Sequence, residues 1–468
     1  MSGDNTSIAR SRPPPLAFVW VSRSEAKIVD GQETFIDRLD GQVRAIADAC
    51  TACGACVRAC PTPGILGLAA GDGKAVADGV RDILRDGQGD AVSAAWAGAC
   101  CGTGNCLSVC EEGINPRVML AMARRRMAEA APEAERKDAG KAAFKAMSRG
   151  VRVLSRLQLP PELMNRLSPA SHPERDTPPD IVFYTGCNML KTPHIGLLCL
   201  DILDRLNVSY EVFGGPANCC GILQFRPGDT ANSGRQINST MDRFASTGAA
   251  QVVSWCPTCQ MQMSEIMTAV PAQPKPFDNL MMPVFLADRL DDLRPLMTTP
   301  VNKRVALHEY PGSPGVVDAV KALLGAIPGL ELVDLEQPGV GYQLTSLDAM
   351  PDLQKRHIAG TFRQAEAKGV QVLAGVFHAD HRELVSHQNE WPFEIVNYME
   401  LIGESLGLRH PDLFKRMKLM QDADEILADA QDMIALHGLD ADEVRAVILS
   451  DILGEQKLPS DRALHPAD

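Results

Sequence analysis

Five cysteines between residues 187 and 259 constrain this chain more than any other feature. Cys187 is followed after thirty-one residues by the adjacent pair Cys219-Cys220, and after thirty-five more by Cys256-Pro257-Thr258-Cys259. The segments between them read as α/β: buried-strand runs at 181–184 and 251–255, a strand at 209–212, and helices at 192–206 and 230–245. The cysteines therefore sit at strand ends and loops, where backbone amides can hydrogen-bond sulfur. Gly186, Gly214-Gly215 and Gly221 suit that close backbone approach. Cys199 stands apart on an apolar helix and reads as a core residue.

Thirteen of the fourteen cysteines fall in three clusters. In a reducing compartment that pattern indicates metal ligation rather than a disulfide framework. The first cluster, Cys50-x2-Cys53-x2-Cys56-x3-Cys60-Pro61, is the bacterial ferredoxin run for a [4Fe–4S] cluster. A zinc ribbon also uses C-x2-C pairs, but three evenly spaced thiolates and a Cys-Pro suit tetrahedral zinc poorly. The second cluster, Cys100-Cys101-x4-Cys106-x3-Cys110, is irregular. In ferredoxin register its second position is Thr103, and Cys101 is the substitute. Crossed ligation assigns Cys50, Cys53, Cys56 and Cys110 to one cubane and Cys60, Cys100, Cys101 and Cys106 to the other. If Cys101 does not reach, the second cluster is a three-iron form.

The net charge of −13 argues against a nucleic-acid partner. The first fifteen residues lack an apolar secretory core, and no run approaches the roughly 20 apolar residues of a membrane helix, so the expected location is cytoplasmic. Residues 1–16 read as a flexible arm and 17–21 as a short strand. Helices are predicted at 74–85, 90–99 and 119–127. Lys137, Lys141, Lys145, Arg149, Arg152 and Arg156 then form a basic stripe on a helix. It reads either as a solvated linker or as a docking face for an acidic partner or a membrane surface. Proline-rich stretches at 160–161 and 169–179 mark a boundary.

Residues 303–403 repeat the α/β pattern without its cysteines. The strand runs recur at 304–307, 330–335 and 370–377. Gly341-Tyr342 stands where Cys219-Cys220 stood, and His378-x2-His381 where Cys256-x2-Cys259 stood, all at an offset of 122 residues. The first-cysteine slot falls within His308–Pro311. Pro283 onward is matched with Pro392 onward. His308, His378 and His381 could bind a metal or line a substrate or quinone site, or be structural. Helices are expected at 412–437 and 440–453, with the chain fraying from 451.

The pattern C-x31-C-C-x35-C-x2-C followed by Gly221 resembles the CCG (cysteine-rich) domain of heterodisulfide reductase catalytic subunits and of glycolate and glycerol-3-phosphate dehydrogenase iron–sulfur subunits. The resemblance covers roughly residues 45–403, including Trp96 in the helix before the second cluster. It implies a third iron–sulfur cluster, of non-cubane type, on Cys187, Cys219, Cys220, Cys256 and Cys259; a [2Fe–2S] cluster or zinc are the alternatives. The expected fold is multidomain, α+β and α/β. After the arm come an α-helical two-cluster ferredoxin-like domain (17–130), the basic helix and linker (131–179) and a CCG domain with its cluster (180–300). A degenerate CCG-like repeat (301–403) and a helical tail (404–468) complete it.

No phosphate loop or dinucleotide glycine motif occurs in a credible context, so no flavin or NAD is expected in this chain. The function implied is an electron-transfer subunit of an oxidoreductase. It would relay electrons between a partner flavoprotein dehydrogenase and a quinone, electron-transfer flavoprotein or ferredoxin, with the basic helix allowing a place at the inner-membrane surface. The alternatives are a heterodisulfide or thiol–disulfide reductase acting at the CCG cluster, and a zinc-stabilised scaffold without redox activity.

Overall fold

The computed structural model describes residues 34–68, 72–172, 175–266, 277–337, 339–454 and 456–466. The arm expected over 1–16 and the strand expected over 17–21 lie outside them. Helix α1 (Phe35–Ala49) opens on a reciprocal cap: the Thr34 hydroxyl accepts from the Asp37 amide and the Asp37 carboxylate from the Thr34 amide. Asp72, Asp90 and Asn115 cap α2 (Gly73–Asp86), α3 (Ala91–Gly98) and α4 (Pro116–Ala128) in the same side-chain-to-amide manner. The predicted helices at 74–85, 90–99 and 119–127 thus lie within or beside observed ones. The basic stripe lies on α5 (Glu133–Gln158), a single helix of 26 residues.

Two four-stranded parallel sheets follow. The first consists of β1 (Ile181–Gly186), β2 (Tyr210–Gly214), β3 (Gln251–Ser254) and β4 (Asp278–Met281) in the order β2-β1-β3-β4. Between them run α6 (Pro193–Arg205), α7 (Thr230–Ser246) and the short α8 (Pro257–Met261), and α9 (Met282–Ala287) follows. The second comprises β5 (Arg304–His308), β6 (Glu331–Val333), β7 (Val372–Gly375) and β8 (Glu394–Asn397), in the matching order β6-β5-β7-β8. Its helices are α10 (Val316–Gly325), α11 (Pro351–Ala367), α12 (His378–Leu384) and α13 (Tyr398–Ser405). Every residue of β1 is buried, as a parallel strand covered on both faces requires. That burial explains its unbroken apolar start, Ile-Val-Phe-Tyr.

The first sheet lies between two cores. Val182 and Tyr184 join Leu39, Val80, Trp96 and Met122 of the N-terminal helices. Ile181 and Phe183, pointing the other way along the strand, join Leu198, Val305, Tyr398 and Ile402 of α6 and the second unit. Each such side chain removed from water contributes about 1.5–3 kcal/mol. The two sheet units and the cysteine-bearing helices are therefore packed as one body.

Several sequence expectations need correction. Strands β4 and β8 carry no recognisable strand pattern in the sequence. They pair β4 with β8 at an offset of 116 residues, so Pro283, inside α9, answers to Met399, and Pro392 precedes β8. The segment at 412–437 is three helices, α14 (Leu413–Met420), α15 (Ala423–Asp429) and α16 (Gln431–His437), with Gln421 at φ 54° breaking the first from the second. Helix α17 (Ala441–Val447) follows. The tail beyond 451 does not fray at once. Leu458 is fully buried, and the amides of Lys457 and Leu458 donate to the Glu383 carboxylate.

Candidate metal centres

In a parallel sheet the crevice opens at the carboxyl ends of strands on either side of the point where strand order reverses. Here that point lies between β1 and β3, and the five cysteines cluster around it. Cys187 follows β1, Cys219-Cys220 follow β2, and Cys256 caps α8 directly after β3. Their thiols form one connected set: Cys187 pairs with Cys219, Cys219 with Cys220, Cys220 with Cys259, and Cys259 with Cys256. The Gly221 amide donates to the Cys219 sulfur at 3.5 Å. Gly186, at φ 69°, lies so near that a Cβ there would stand 3.3 Å from the Cys259 sulfur. Cys199 is fully buried on α6 and takes no part.

Where thiols donate to one another, acidity separates. Hydrogen bonds from Cys219 and Cys259 hold the Cys220 thiol down to about 6, while the Cys259 thiol is raised by its bonds to Cys220 and Cys256. Such a mutually stabilised thiol–thiolate set is the donor chemistry of an iron–sulfur site. Two buried cations adjoin it. Lys191 Nζ lies 2.8 Å from Asp451 and feels Cys187, and Arg382 of α12 feels Asp451, Cys187 and Cys256.

The eight N-terminal cysteines lie in two neighbouring sets. Cys56 interacts with Cys50, Cys110 and Cys53. Cys106 interacts with Cys100 and Cys60, and Cys101 likewise with Cys100 and Cys60. Cys106 also feels Cys56, so the two sets adjoin. Burial pushes the Cys56 and Cys106 thiols up to about 12, a cost that iron coordination removes by taking the charge. The buried indole N–H of Trp96 finds no acceptor among the described protein atoms, which also fits a site for a sulfide-bearing cofactor. None of the fourteen cysteines forms a disulfide. Exposure falls from one set to the next: Cys53 is exposed, Cys101 and Cys106 are buried, and so are four of the five CCG thiols.

Thr103, at the missing-cysteine position, has its hydroxyl 3.3 Å from the Cys101 sulfur and accepts the Gly341 amide at 2.9 Å. Gly341-Tyr342 belongs to the second sheet unit and reaches between the second and third thiol sets. The Tyr342 ring packs on Gly102, where an added Cβ would come within 2.8 Å of it. Its hydroxyl lies 3.4 Å from that of Thr258, between Cys256 and Cys259, and Gln343 donates to Thr258 at 2.7 Å. Buried Arg117 ties the same junction, donating to the carbonyls of Gly102 and Gly312 and pairing with Glu265. Sequence reasoning gives Tyr342 and Arg117 no role. Their only signal is Tyr342's place in the pair slot of the second unit.

The three histidines His308, His378 and His381 are not brought together as a set. His308 lies in β5, bonded to Thr361 and to the Tyr310 hydroxyl, with its ring beside His357. His381 bonds Asp412 and faces His194. His378 is buried near Arg382 and Lys191. The sheet register also moves the third slot by one residue. Ser254 and Gly375 end their strands at equivalent positions, so Phe377 answers to Cys256 and Asp380 to Cys259. Asp380 accepts the amides of Leu344 and Phe377, at 2.9 and 3.2 Å, closing the crevice that the first unit keeps for thiols.

A cysteine-rich domain model (CCG) matches residues 181–264, and a 4Fe-4S binding domain model matches residues 43–65. One subunit of dihydromethanophenazine:CoB–CoM heterodisulfide reductase from Methanosarcina mazei is 22% identical over 413 residues, covering 77% of this chain and 94% of that protein. The corresponding protein from Methanosarcina barkeri is 23% identical over 417 residues, with the same coverage. One subunit of fumarate reductase (CoM/CoB) from Methanothermobacter marburgensis is 29% identical over 168 residues, 34% of this chain and 32% of that protein. This chain therefore carries a CCG cysteine-rich domain and a 4Fe-4S binding domain, and is homologous to iron–sulfur subunits of heterodisulfide reductase and of fumarate reductase (CoM/CoB).

Proposed function

We propose that this chain is the electron-transfer subunit of an oxidoreductase complex, carrying electrons between a partner flavoprotein dehydrogenase and an acceptor such as a quinone, an electron-transfer flavoprotein or a ferredoxin. The single observation that carries this reading is the series of three thiol sets, graded from exposed Cys53 to the buried CCG set. Cys50, Cys53, Cys56 and Cys110 would hold one cubane, Cys60, Cys100, Cys101 and Cys106 a second, and the five CCG cysteines the third cluster. Bound there, such clusters supply one-electron acceptance and donation. The chain's own residues shape the route. Cys53 leaves the first site open to a partner, and Tyr342 fills the space between the second and third sites and keeps water out. Lys191 and Arg382 place positive charge beside the third, which favours its more reduced form. The exposed Lys137, Lys141, Lys145 and Arg149 offer a face to an acidic partner or membrane surface.

The similarity to a heterodisulfide reductase over 77% of the chain favours a second reading, reduction of a disulfide at the CCG site. The buried cations there suit an anionic substrate. Iron, acid-labile sulfide and EPR on protein purified without oxygen test the first reading. About twelve irons per chain, three four-iron sites, supports it, and no iron sinks it. Dithiol-driven dye reduction by the chain alone would favour the second reading; activity only with an added flavoprotein favours the first.

A further inference from the structure

Outside the cysteine sites, four metal-binding side chains converge between the two sheet units. They are His194 at the start of α6, His381 on α12, Glu400 on α13 and Asp412 at the cap of α14, and one ligand atom from each lies within 4.8 Å of all the others. The site is interior: the side chains of His194, His381 and Asp412 are 2%, 0% and 7% exposed, and Glu400 is 22% exposed. Local structure aims both carboxylates. Glu400 accepts the Asn397 amide at 2.7 Å in the cap of α13, and Asp412 accepts the Lys415 amide at 2.9 Å in the cap of α14. Each is thus fixed by the backbone of its own helix, as carboxylate ligands usually are by outer partners.

The hydrogen bonding within this cluster is incomplete. His381 Nε2 reaches Asp412 at 2.6 Å, but His381 Nδ1 has no partner. His194 has none on either ring nitrogen. Its Nε2 lies 3.7 Å from Glu400 and its Nδ1 3.5 Å from Asp412, beyond a good hydrogen bond. A buried imidazole that approaches two carboxylates without bonding either is poorly explained as a structural histidine. Charge points the same way. Two carboxylates and two neutral imidazoles carry −2, which one divalent cation cancels in an interior where an uncancelled pair is costly. Two imidazoles and two carboxylates in a closed tetrahedral set suit zinc, whose nitrogen and oxygen ligands stand at about 2.0–2.2 Å.

We propose that His194, His381, Glu400 and Asp412 form a zinc site that staples the first sheet unit to the second. His194 belongs to the CCG unit and the other three to the second unit and its tail, so the ion would fix their mutual orientation. The Tyr342 contact between the second and third thiol sets depends on that orientation. On binding, the proton between His381 and Asp412 leaves to solvent, and no oxidation state changes.

The test uses full-length protein with its iron in place. Metal analysis is expected to find about one zinc per chain. The zinc X-ray absorption edge should show four nitrogen or oxygen neighbours near ~2.0 Å and no sulfur near ~2.3 Å. That readout separates this site from zinc held by thiols and needs no variant. His194→Ala and Asp412→Asn should each lower zinc at least fivefold while iron and sulfide per chain stay unchanged. A zinc edge dominated by sulfur would overturn the proposal. So would protein that lacks zinc and takes up no equivalent of added zinc sulfate, or variants that keep their full zinc.

Discussion

The two sheet units share strand order and register but treat the crevice at their carboxyl ends in opposite ways. In the first, Cys187, Cys219-Cys220, Cys256 and Cys259 leave a pocket lined by sulfur. In the second, the same places hold Pro311, Gly341-Tyr342, Phe377 and Asp380. Asp380 ties down the Leu344 loop, and Tyr342 leaves its own unit to fill a space between thiol sets of the rest of the molecule. The comparison teaches that a repeat without ligands need not be vestigial. The crevice closes on itself, and the residues standing in the ligand positions become the wall of the neighbouring site.

The largest effect should come from the thiols themselves. Cys219→Ser or Cys256→Ser is expected to remove the CCG signal and lower iron from about twelve to about eight per chain, leaving both cubane signals. Phe377→Ala, at the equivalent position of the second unit, should leave iron unchanged. Iron analysis with EPR checks both, and equal losses would erase the contrast between the units. Next, Tyr342→Ala should cost about 3–5 kcal/mol in denaturant unfolding by opening a cavity, and slow electron exchange between the second and third sites. Tyr342→Phe keeps the packing and should stay within about 1 kcal/mol, since the hydroxyl contact to Thr258 is long.

Acid should act on the second unit more than the first. Burial holds the His357 imidazole down to about 4, and His308 beside it is also depressed. A histidine whose folded-state pKa is lowered contributes stability above the ordinary value of about 6.5 and loses it as pH falls towards the folded value. For His357 that is about 3 kcal/mol lost between pH 6.5 and 4. Melting curves against pH should show the decline, and His357→Leu should flatten it. Smallest, Asp380→Ala should cost about 2 kcal/mol by stranding the amides of Leu344 and Phe377. Asp380→Asn, which keeps an acceptor, should recover most of it.

Much of this contrast is legible in the sequence. Cysteine spacing alone suggests two four-thiol sets, because adjacent ligands on tight loops leave few ways to close such a site. Long apolar strands and capped helices also announce themselves, as at Ile181 and Asp90. What fails is the alignment within the second unit. His378-x2-His381 imitates Cys256-x2-Cys259 in spacing, and nothing in the sequence marks the one-residue shortening between Tyr342 and α11 that moves it out of register. Strands β4 and β8 are only four residues each, too short for a periodic signal. The His194 cluster is invisible for another reason: its members come from four helices across more than two hundred residues, and only packing brings them together.

The closure of Tyr342 and Gln343 over Thr258 has a consequence for how the protein is made. The five CCG thiols leave the ribosome before the segment that covers them, so synthesis gives a window in which iron and sulfide can reach the pocket. Once the second unit docks, the window shuts. Iron and sulfide added to a fully folded apo-chain should therefore rebuild the site beside exposed Cys53 readily and the CCG site slowly. Chain direction, in this protein, sets the order of maturation.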